Sequence, residues 1–257
     1  MPGRLSNKVA LITGSSRGIG RATALAFAKQ GAAFIVVHYA SNGEAARATV
    51  REIEALGTKA VAIHADLRNG KEAVDSILEQ LKAVGIAKTN EPWLDILVNN
   101  AGIAPAASLA QTSESVFDEV MTINLKAPFF LIQSLAGQIR DNGRIINIST
   151  GFTRVAAPTH PAYAASKGAL ETLTLALAPE FGPRGITVNA IMPGVTDTDM
   201  NAAWLSVPEA RARAEALSVF SRVGQASDVA DVIAFVGSNE AGWTTGQRID
   251  ATGGTRL

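Results

Sequence analysis

The chain has 257 residues, of which 47% are hydrophobic and 18% are charged. This apolar fraction excludes an intrinsically disordered chain, and 23 basic residues balance 23 acidic ones, so no charge excess predicts nucleic acid or an anionic membrane as a partner. The sequence contains no cysteine, which excludes disulfides, thiolate nucleophiles, iron–sulfur clusters and cysteine-ligated zinc, and we expect no metal site.

The start of the chain predicts no targeting segment. Residues Met1–Lys8 are polar, and the apolar run Val9–Ile12 that follows is too short for a signal-peptide core or a membrane span. No later apolar run reaches the roughly 18 residues that a membrane span needs. We therefore expect a cytoplasmic protein without a membrane partner.

Short β-branched runs alternate with longer, alanine-rich segments along the chain. The runs are apolar on both faces, as in a parallel sheet covered by helices; they are Val9–Thr13, Phe34–His38, Ala60–His64, Leu94–Asn99, Arg144–Ser149, Thr187–Met192 and Gln247–Asp250. The segments with helical composition are Gly18–Gln30, Gly43–Leu56, Lys71–Val84, Ser113–Ile139 and Pro161–Phe181. This alternation predicts an α/β fold, a doubly wound Rossmann-type parallel sheet of about seven strands with helices on both faces.

Two segments interrupt this alternation. Lys82–Trp93 has the composition of a helix end followed by a polar loop. Residues 195–220 contain Met200, Trp204 and a patch rich in alanine and arginine, which suggests a mobile cover over a substrate pocket; an ordinary surface helix pair is the alternative. Because the sequence shows no repeat and no change of composition, we expect a single domain over residues 1–257.

Three glycines lie in the turn Gly14–Gly20, which joins the first predicted strand to the first predicted helix. Glycine at such a turn lets backbone N–H groups approach a pyrophosphate at the helix N-terminus. The spacing G-x-x-x-G-x-G differs from the commonest dinucleotide fingerprint, and a plain strand-to-helix turn is the alternative. The same residues match the G-x-S-x-G nucleophile elbow of α/β-hydrolases, with Ser16 as nucleophile. That interpretation needs a histidine late in the chain, and none follows His160.

Tyr163 and Lys167 are four residues apart in a predicted helix. Positions i and i+4 share one helix face, so the phenol and the ammonium point the same way. A phenol with a pKa near 10 becomes a useful proton donor to a carbonyl when a nearby cation lowers that pKa by about 1–3. We interpret the two residues as an acid–base pair, with an ordinary helical surface pair as the alternative.

Further motifs follow the predicted strands in a fixed order. Together with the glycine turn and the Tyr163–Lys167 pair they resemble the short-chain dehydrogenase/reductase family of NAD(P)-dependent oxidoreductases over nearly the whole chain. Within the family the chain is most similar to 3-oxoacyl-(acyl carrier protein) reductases. The additional matching residues are Asp66 and Leu67, Asn99–Gly102, Asn124, Pro193 and Gly194, and Thr198.

The resemblance implies a catalytic tetrad. In it Thr150 orients the carbonyl and Tyr163 delivers the proton. Lys167 lowers the pKa of Tyr163 and holds the nicotinamide ribose, while Asn124 supports a water that returns protons to Lys167. The family usually has serine where this chain has Thr150. Alternation along a strand places residues 149 and 150 on opposite faces, which favours Thr150, with Ser149 as the alternative.

The end of the second strand predicts which nicotinamide cofactor binds. Residues Val36–Asn42 contain no aspartate or glutamate to bind the ribose 2′-hydroxyl of NAD. Arg17 is instead placed to meet the 2′-phosphate of NADP, with Ser41 and Asn42 as further donors; a solvated helix-start residue is the alternative for Arg17. We predict NADP(H). The residues expected to bind it are Gly14, Ser16, Arg17, Gly18, Ile19, Gly20, Tyr39, Ser41, Asp66, Leu67, Asn100, Ala101, Gly102, Tyr163, Lys167, Pro193, Gly194, Thr196 and Thr198.

The expected substrate wall is mostly apolar, with Phe152 and Trp204 as the main candidates for substrate contact. Arg154 suits an anionic or acyl-carrier handle on the substrate, although an exposed loop residue is an equal alternative. The remaining wall residues are Gly151, Ala156, Pro193 and Met200. We predict reversible, NADPH-dependent reduction of a ketone, a 3-oxoacyl thioester or related carbonyl, to a secondary alcohol. The alternatives are an alcohol or sugar dehydrogenase working in the oxidative direction and a non-catalytic dinucleotide-binding regulator.

The resemblance also implies a homotetramer or dimer. Family members pack through the helices on either side of the catalytic strand, here Ser113–Ile139 and Pro161–Phe181. Pro179 lies within the second of these, and we expect it to kink the helix or end it early. The tail Gly253–Leu257 resembles the one that family members bring near a neighbouring subunit.

Overall fold

The computed structural model describes residues 3–86 and 91–256. Within these ranges the strands are β1 (Val9–Ile12), β2 (Phe34–Tyr39), β3 (Lys59–His64), β4 (Leu94–Asn99), β5 (Ile139–Ile148), β6 (Thr187–Pro193), β7 (Thr196–Asp197), β8 (Gly224–Gln225) and β9 (Arg248–Ala251). The α-helices are α1 (Gly18–Lys29), α2 (Gly43–Ala55), α3 (Lys71–Ala83), α4 (Glu114–Met121), α5 (Ala127–Leu135), α6 (Pro161–Phe181), α7 (Ala202–Leu205), α8 (Pro208–Glu215) and α9 (Ala226–Gly237).

The described residues form a seven-stranded parallel sheet in the order β3-β2-β1-β4-β5-β6-β9, which confirms the predicted Rossmann-type fold. Successive strand residues enter opposite cores, because side chains alternate across a sheet. Leu11 packs with one buried cluster and Ile12 with the other, and both are 0% exposed. The strand order reverses between β1 and β4, and in such sheets ligands bind at the carboxyl ends of the strands beside that point.

The predicted helix Ser113–Ile139 is wrong in two respects. It is interrupted by a π-helical turn, Thr122–Lys126, and α5 ends at Leu135. The strand predicted from Arg144 begins at Ile139, which pairs with Leu94 before the register shifts. Between Ile139 and Arg144 the strand contains exposed polar residues and a left-handed backbone at Asn142 (φ 62°). This polar interruption hides the start of the strand in the sequence.

Pro179 does not end α6 early, since the helix runs to Phe181 and continues as a 3₁₀ turn, Gly182–Arg184. A proline so close to the end removes only one of the last helical hydrogen bonds. Of the predicted loop Lys82–Trp93, residues 87–90 lie outside the described residues, as does Leu257 of the predicted tail.

Residues 195–220 form β7, α7 and α8, and a small apolar cluster of their own, in which Leu205 and Ala214 pack with Val223 and Val195. Strand β7 pairs with β8 in a second, two-stranded sheet that the sequence analysis did not predict. No helix in the described part of the chain is both long and apolar enough to cross a membrane.

Candidate active site

The loops that follow β1 and β4 lie against each other where the strand order reverses. Gly14 has a φ of 63°, in the left-handed region that favours glycine. A Cβ atom on Gly14 would lie 2.9 Å from the Cα atom of Ala101 in the neighbouring loop. The Asn100 side chain donates from Nδ2 to the carbonyl oxygens of Thr13 at 2.8 Å and Gly14 at 3.0 Å. The glycine turn and the Asn99–Gly102 loop therefore form one hydrogen-bonded unit.

The N-terminus of α1 opens beside this unit and suits an anion. Among the described residues no side chain caps α1, and its first turn contains no acidic residue. Uncapped N–H groups and the helix dipole favour negative charge here. Thr198 lies against Gly18, 3.6 Å from where a Cβ atom on that glycine would be. A close-packed glycine turn that leads into an uncapped helix fits the pyrophosphate of a dinucleotide.

The buried His38 side chain hydrogen-bonds to the glycine turn, a role that the sequence analysis did not predict. His38 is the last residue but one of β2 and is 1% exposed. Its Nδ1 accepts from the Gly14 N–H at 3.1 Å, and its Nε2 donates to the Ala65 carbonyl oxygen at 3.0 Å. Burial lowers the pKa of His38 to about 4, so the imidazole is neutral and keeps an acceptor for Gly14. A histidine at the end of a buried strand was the available signal.

Tyr39 and Asp66, two of the residues predicted to bind the cofactor, lie at the carboxyl ends of β2 and β3 on the same edge of the sheet. Asp66 follows β3, and the Arg68 guanidinium hydrogen-bonds to it and lowers the pKa of its carboxyl group. The Tyr39 ring lies 5.3 Å from the His64 ring, centroid to centroid. Tyr39 and Asp66 therefore place an aromatic and an acidic group at this edge, where the cofactor is predicted to bind.

Arg17 and Asn42 each have a partner within the chain. Arg17 lies 3.6 Å from the Asp199 carboxylate, and both side chains are more than 60% exposed. The Asn42 side-chain oxygen caps α2, so its amide nitrogen remains as the donor toward a ligand. Ser41 is exposed beside it.

Helix α6 carries Tyr163 and Lys167 next to the carboxyl end of β5. The Tyr163 phenol lies near the Thr150 hydroxyl, close enough for that hydroxyl to lower the pKa of the phenol. Lys167 is 3% exposed, and its Nζ donates to the Ile148 carbonyl oxygen at 2.7 Å. The alternative Ser149 instead donates to Glu171 at 2.5 Å. Three groups that the sequence predicts to act together, the hydroxyl, the phenol and the ammonium, therefore meet at the end of one strand.

Burial shifts the pKa values of both α6 groups. Desolvation raises the pKa of the Tyr163 phenol, and the hydrogen bond with Thr150 offsets this only in part. Desolvation also lowers the pKa of Lys167 to about 8. The expectation that Lys167 brings the pKa of Tyr163 below its ordinary value is wrong for the chain alone, because burial disfavours phenolate more than the neighbouring groups stabilise it.

Asn124 lies in the π-helical turn Thr122–Lys126, and turns of this kind are frequent at functional sites. Its Oδ1 accepts from the Ile103 N–H at 2.9 Å, and its Nδ2 donates to Ser166 Oγ at 3.0 Å. Nothing in the local sequence predicts this turn, although Asn124 itself was predicted.

Gly102 separates Asn124 from Lys167. A Cβ atom on Gly102 would lie 3.1 Å from Asn124 Oδ1 and 3.3 Å from Lys167 Nζ. The asparagine and the lysine therefore face each other across a glycine, as a path between them through a bound water requires.

An aromatic cluster borders the Tyr163 phenol. The Phe152 ring centroid lies 5.4 Å from that of His160 and 6.3 Å from that of Tyr163. Trp204 is 40% exposed, and its Nε1 donates to Asn201 Oδ1 at 3.1 Å. Arg154, the candidate contact for an anionic handle, hydrogen-bonds to Asp250.

The geometry does not support a hydrolase elbow at Ser16. The two ring nitrogens of His38 are occupied by Gly14 and Ala65. Within residues 3–86 and 91–256, no hydrogen bond joins the Ser16 side chain to a histidine.

Comparison with known proteins identifies the family. The family model described as enoyl-(acyl carrier protein) reductase matches residues 14–256. Versicolorin reductase 1 of Aspergillus parasiticus is 37% identical over 98% of this chain and 97% of its own length. The chain belongs to the short-chain dehydrogenase/reductase family. Membership makes it an NAD(P)-dependent oxidoreductase.

Two solved structures show the same fold at higher identity. The promiscuous reductase LugOII, which catalyses keto-reduction at C1 during lugdunomycin biosynthesis, is 45% identical, covers 99% of this chain and 100% of its own, and superposes with a TM-score of 0.90. The landomycin C-6 ketoreductase LanV with bound NADP and rabelomycin is 40% identical, with 98% of each chain covered and a TM-score of 0.85.

Proposed function

We propose that this short-chain dehydrogenase/reductase is an NADPH-dependent ketoreductase. The observation that carries the proposal is the Tyr163 phenol, which lies near the Thr150 hydroxyl and on the same helix face as the buried Lys167. When bound, NADPH supplies the hydride. The chain supplies a proton donor, a hydroxyl that orients the carbonyl, and a site with few water-accessible charges.

Each side chain has a distinct task in this proposal. Tyr163 protonates the carbonyl oxygen from its phenol, and its raised pKa keeps the proton on the phenol at neutral pH. Thr150 donates a hydrogen bond to the same carbonyl oxygen. Lys167, whose pKa of about 8 lies near neutral pH, exchanges a proton with solvent through a water held by Asn124.

Arg17 supports a preference for NADP(H) over NAD(H). Its pairing with Asp199 joins two exposed groups, and such pairs contribute little free energy, so the guanidinium is free to turn toward a 2′-phosphate. A charge-assisted hydrogen bond of about 1.5–3 kcal/mol gives a preference of about ten- to hundredfold. LanV was solved with bound NADP, which is consistent with this assignment.

The substrate that the site fits best is a ketone on an aromatic ring system. Phe152 and His160 offer ring faces and edges beside Tyr163, and aromatic ligands stack on such groups. Arg154, which an anionic acyl-carrier handle would need, is engaged by Asp250. LanV, a landomycin C-6 ketoreductase, was solved with bound rabelomycin, which supports a ketone substrate. A 3-oxoacyl thioester remains the second candidate, because the matching family model is described by an acyl carrier protein reductase.

We also propose that residues 1–257 act as a single domain in which residues 195–220 cover the substrate. Their separate apolar cluster supports this, since a unit packed on itself moves with little disturbance of the main core. Exposed apolar side chains on α4, α5 and α6, namely Phe117, Phe129 and Leu175, support a homotetramer or dimer. Light scattering coupled to size-exclusion chromatography measures that state.

The test is NADPH oxidation, followed by absorbance, with two substrate panels. One contains ring ketones such as β-tetralone, and the other contains acetoacetyl-CoA and longer 3-oxoacyl thioesters. We expect turnover of ring ketones at a kcat/KM at least about tenfold above that of the thioesters. The matched control is Tyr163→Phe, which keeps the ring but removes the proton donor.

Each result has one meaning. Turnover by the wild type and not by Tyr163→Phe, with NADPH still bound by both, supports the ketoreductase. A thioester preference replaces the ring-ketone assignment with the second candidate. NADPH binding without turnover of either panel would instead support a non-catalytic regulator. Oxidation of the corresponding alcohols with NADP⁺ or NAD⁺, without reduction of the ketones, would support an oxidative dehydrogenase.

A further inference from the structure

Glu171 is a buried acidic residue without a role in the mechanism above. It follows Lys167 by four positions on α6, just as Lys167 follows Tyr163, so the three residues share one helix face. Glu171 is 4% exposed. Burying a carboxylate is costly, and an apolar residue of similar volume often stabilises a fold as well or better. Packing alone therefore does not explain a carboxylate at this position.

One carboxylate oxygen of Glu171 accepts from two hydroxyls. Ser149 Oγ donates to Oε1 at 2.5 Å, and Thr153 Oγ1 donates to the same atom at 2.7 Å. Thr153 Oγ1 also lies 2.9 Å from the Thr150 carbonyl oxygen. A hydroxyl has one proton, and the charged acceptor at the shorter distance holds it more strongly. The second oxygen, Oε2, lies 3.5 Å from Arg248, whose side chain is 63% exposed.

The two hydroxyls lie on either side of the residue whose own hydroxyl lowers the pKa of the Tyr163 phenol. Thr150 lies between Ser149 and Thr153, and its Oγ1 accepts from the Phe152 N–H at 3.3 Å. Strand β5 ends at Ile148, and the backbone holds this turn through the Ser149 N–H, which donates to the Ile191 carbonyl oxygen of β6 at 2.7 Å, and through the 3₁₀ turn Gly151–Thr153. The Glu171 carboxylate adds a side-chain anchor at both ends of the turn.

We propose that Glu171 is a positioning residue that holds the Ser149–Thr153 turn and so keeps the Thr150 hydroxyl on the Tyr163 phenol. Its kinetic consequence rests on the proposed function, whereas its effect on Tyr163 does not. Glutamine at position 171 keeps an Oε1 acceptor for both hydroxyls. Leucine has a similar volume and no acceptor.

The first experiment compares kcat and KM of Glu171→Gln and Glu171→Leu with those of the wild type, using β-tetralone and NADPH. We expect Glu171→Leu to lower kcat by about ten- to hundredfold, because small displacements of a catalytic group are costly. The KM for NADPH is expected to change less than about twofold, since the partners of Glu171, namely Ser149, Thr153 and Arg248, are not predicted cofactor residues. Glu171→Gln is expected to retain kcat within about fivefold. The matched control is Glu180→Gln, an exposed carboxylate on the same helix.

The second experiment reads the phenol directly and needs no substrate. The chain has two tyrosines, so a Tyr39→Phe background leaves Tyr163 as the one tyrosine signal in ¹³C NMR. The hydrogen bond with Thr150 lowers the pKa of this phenol, and its loss therefore raises the pH at which Tyr163 titrates. We expect an upward shift in Glu171→Leu and no shift in Glu171→Gln. Thr153→Val removes one donor without altering α6 and is expected to give a smaller upward shift, which keeps the test open if the leucine variant does not fold.

Two outcomes overturn the inference. In one, Glu171→Leu, or Thr153→Val if the leucine variant does not fold, retains both the wild-type kcat and the wild-type Tyr163 titration. In the other, Glu171→Gln is as impaired as Glu171→Leu, which assigns the effect to charge rather than to hydrogen-bond acceptance. If the wild type reduces no ketone, the proposed function fails, and the Tyr163 titration still decides the role of Glu171.

Discussion

Acid should destabilise this protein through His38. In the folded chain burial holds the pKa of His38 at about 4, against an ordinary value of 6.5. Below pH 6.5 the unfolded chain therefore binds a proton at His38 that the folded chain does not bind. The contribution of His38 to stability is intact above pH 6.5 and is lost as the pH falls toward about 4. The full difference corresponds to about 3 kcal/mol, because one pKa unit is worth about 1.4 kcal/mol.

Most of this loss falls in a range that is convenient to measure. Between about pH 7.5 and about pH 5 we expect the free energy of unfolding, measured with urea, to fall by about 2 kcal/mol through this residue. His38→Asn keeps an acceptor for the Gly14 N–H but does not titrate, so we expect its stability to fall by about 2 kcal/mol less over the same interval. His64→Asn, which removes an exposed histidine from the neighbouring strand, is the control. It should keep most of the wild-type loss, because burial lowers the pKa of His38 more than the charge of His64 does. Equal losses in His38→Asn and the wild type would refute the argument.

Three further predictions concern the site. Arg17→Gln should raise the KM for NADPH about ten- to hundredfold and leave that for NADH nearly unchanged in steady-state assays; an equal effect on both cofactors contradicts the 2′-phosphate assignment. Thr150→Ser should retain kcat within about threefold, whereas the isosteric Thr150→Val should lose about a hundredfold, because only serine keeps the hydroxyl. Gly102→Ala should lower kcat about tenfold without changing the circular dichroism spectrum, because its methyl would lie 3.1 Å from Asn124 Oδ1 and 3.3 Å from Lys167 Nζ; an unchanged kcat contradicts the proposed water path between Asn124 and Lys167.

The sequence predicts the elements whose signal is local. The seven strands of the main sheet follow from buried β-branched runs, and the glycine turn follows from its spacing. The start of β5 at Ile139 does not, because a register shift separates it from the rest of the strand by polar residues. The π-helical turn that holds Asn124 has no signal in the sequence either, and it interrupts what the sequence predicts as one helix.

The candidate site divides in the same way. Tyr163 and Lys167 are predicted by their spacing, whereas Thr150 is predicted by the family resemblance together with strand alternation. Thr150 keeps an extended backbone after β5, and the alternative Ser149 turns its hydroxyl to Glu171. His38 and Glu171 are missed because their importance depends on long-range partners, such as the Gly14 N–H for His38. Burial also reverses the expected direction of the Tyr163 pKa, an effect that sequence spacing does not contain.

The central claim is that hydride and proton reach one carbonyl group, the proton from Tyr163. It is tested most directly by reducing β-tetralone with NADPH that carries deuterium at the transferred position of the nicotinamide, followed by mass spectrometry of the alcohol. We expect one deuterium on the carbinol carbon with the wild type, and a rate at least about a hundredfold lower with Tyr163→Phe at unchanged NADPH binding. An alcohol without deuterium, or the labelled alcohol formed by Tyr163→Phe at the wild-type rate, would contradict the account.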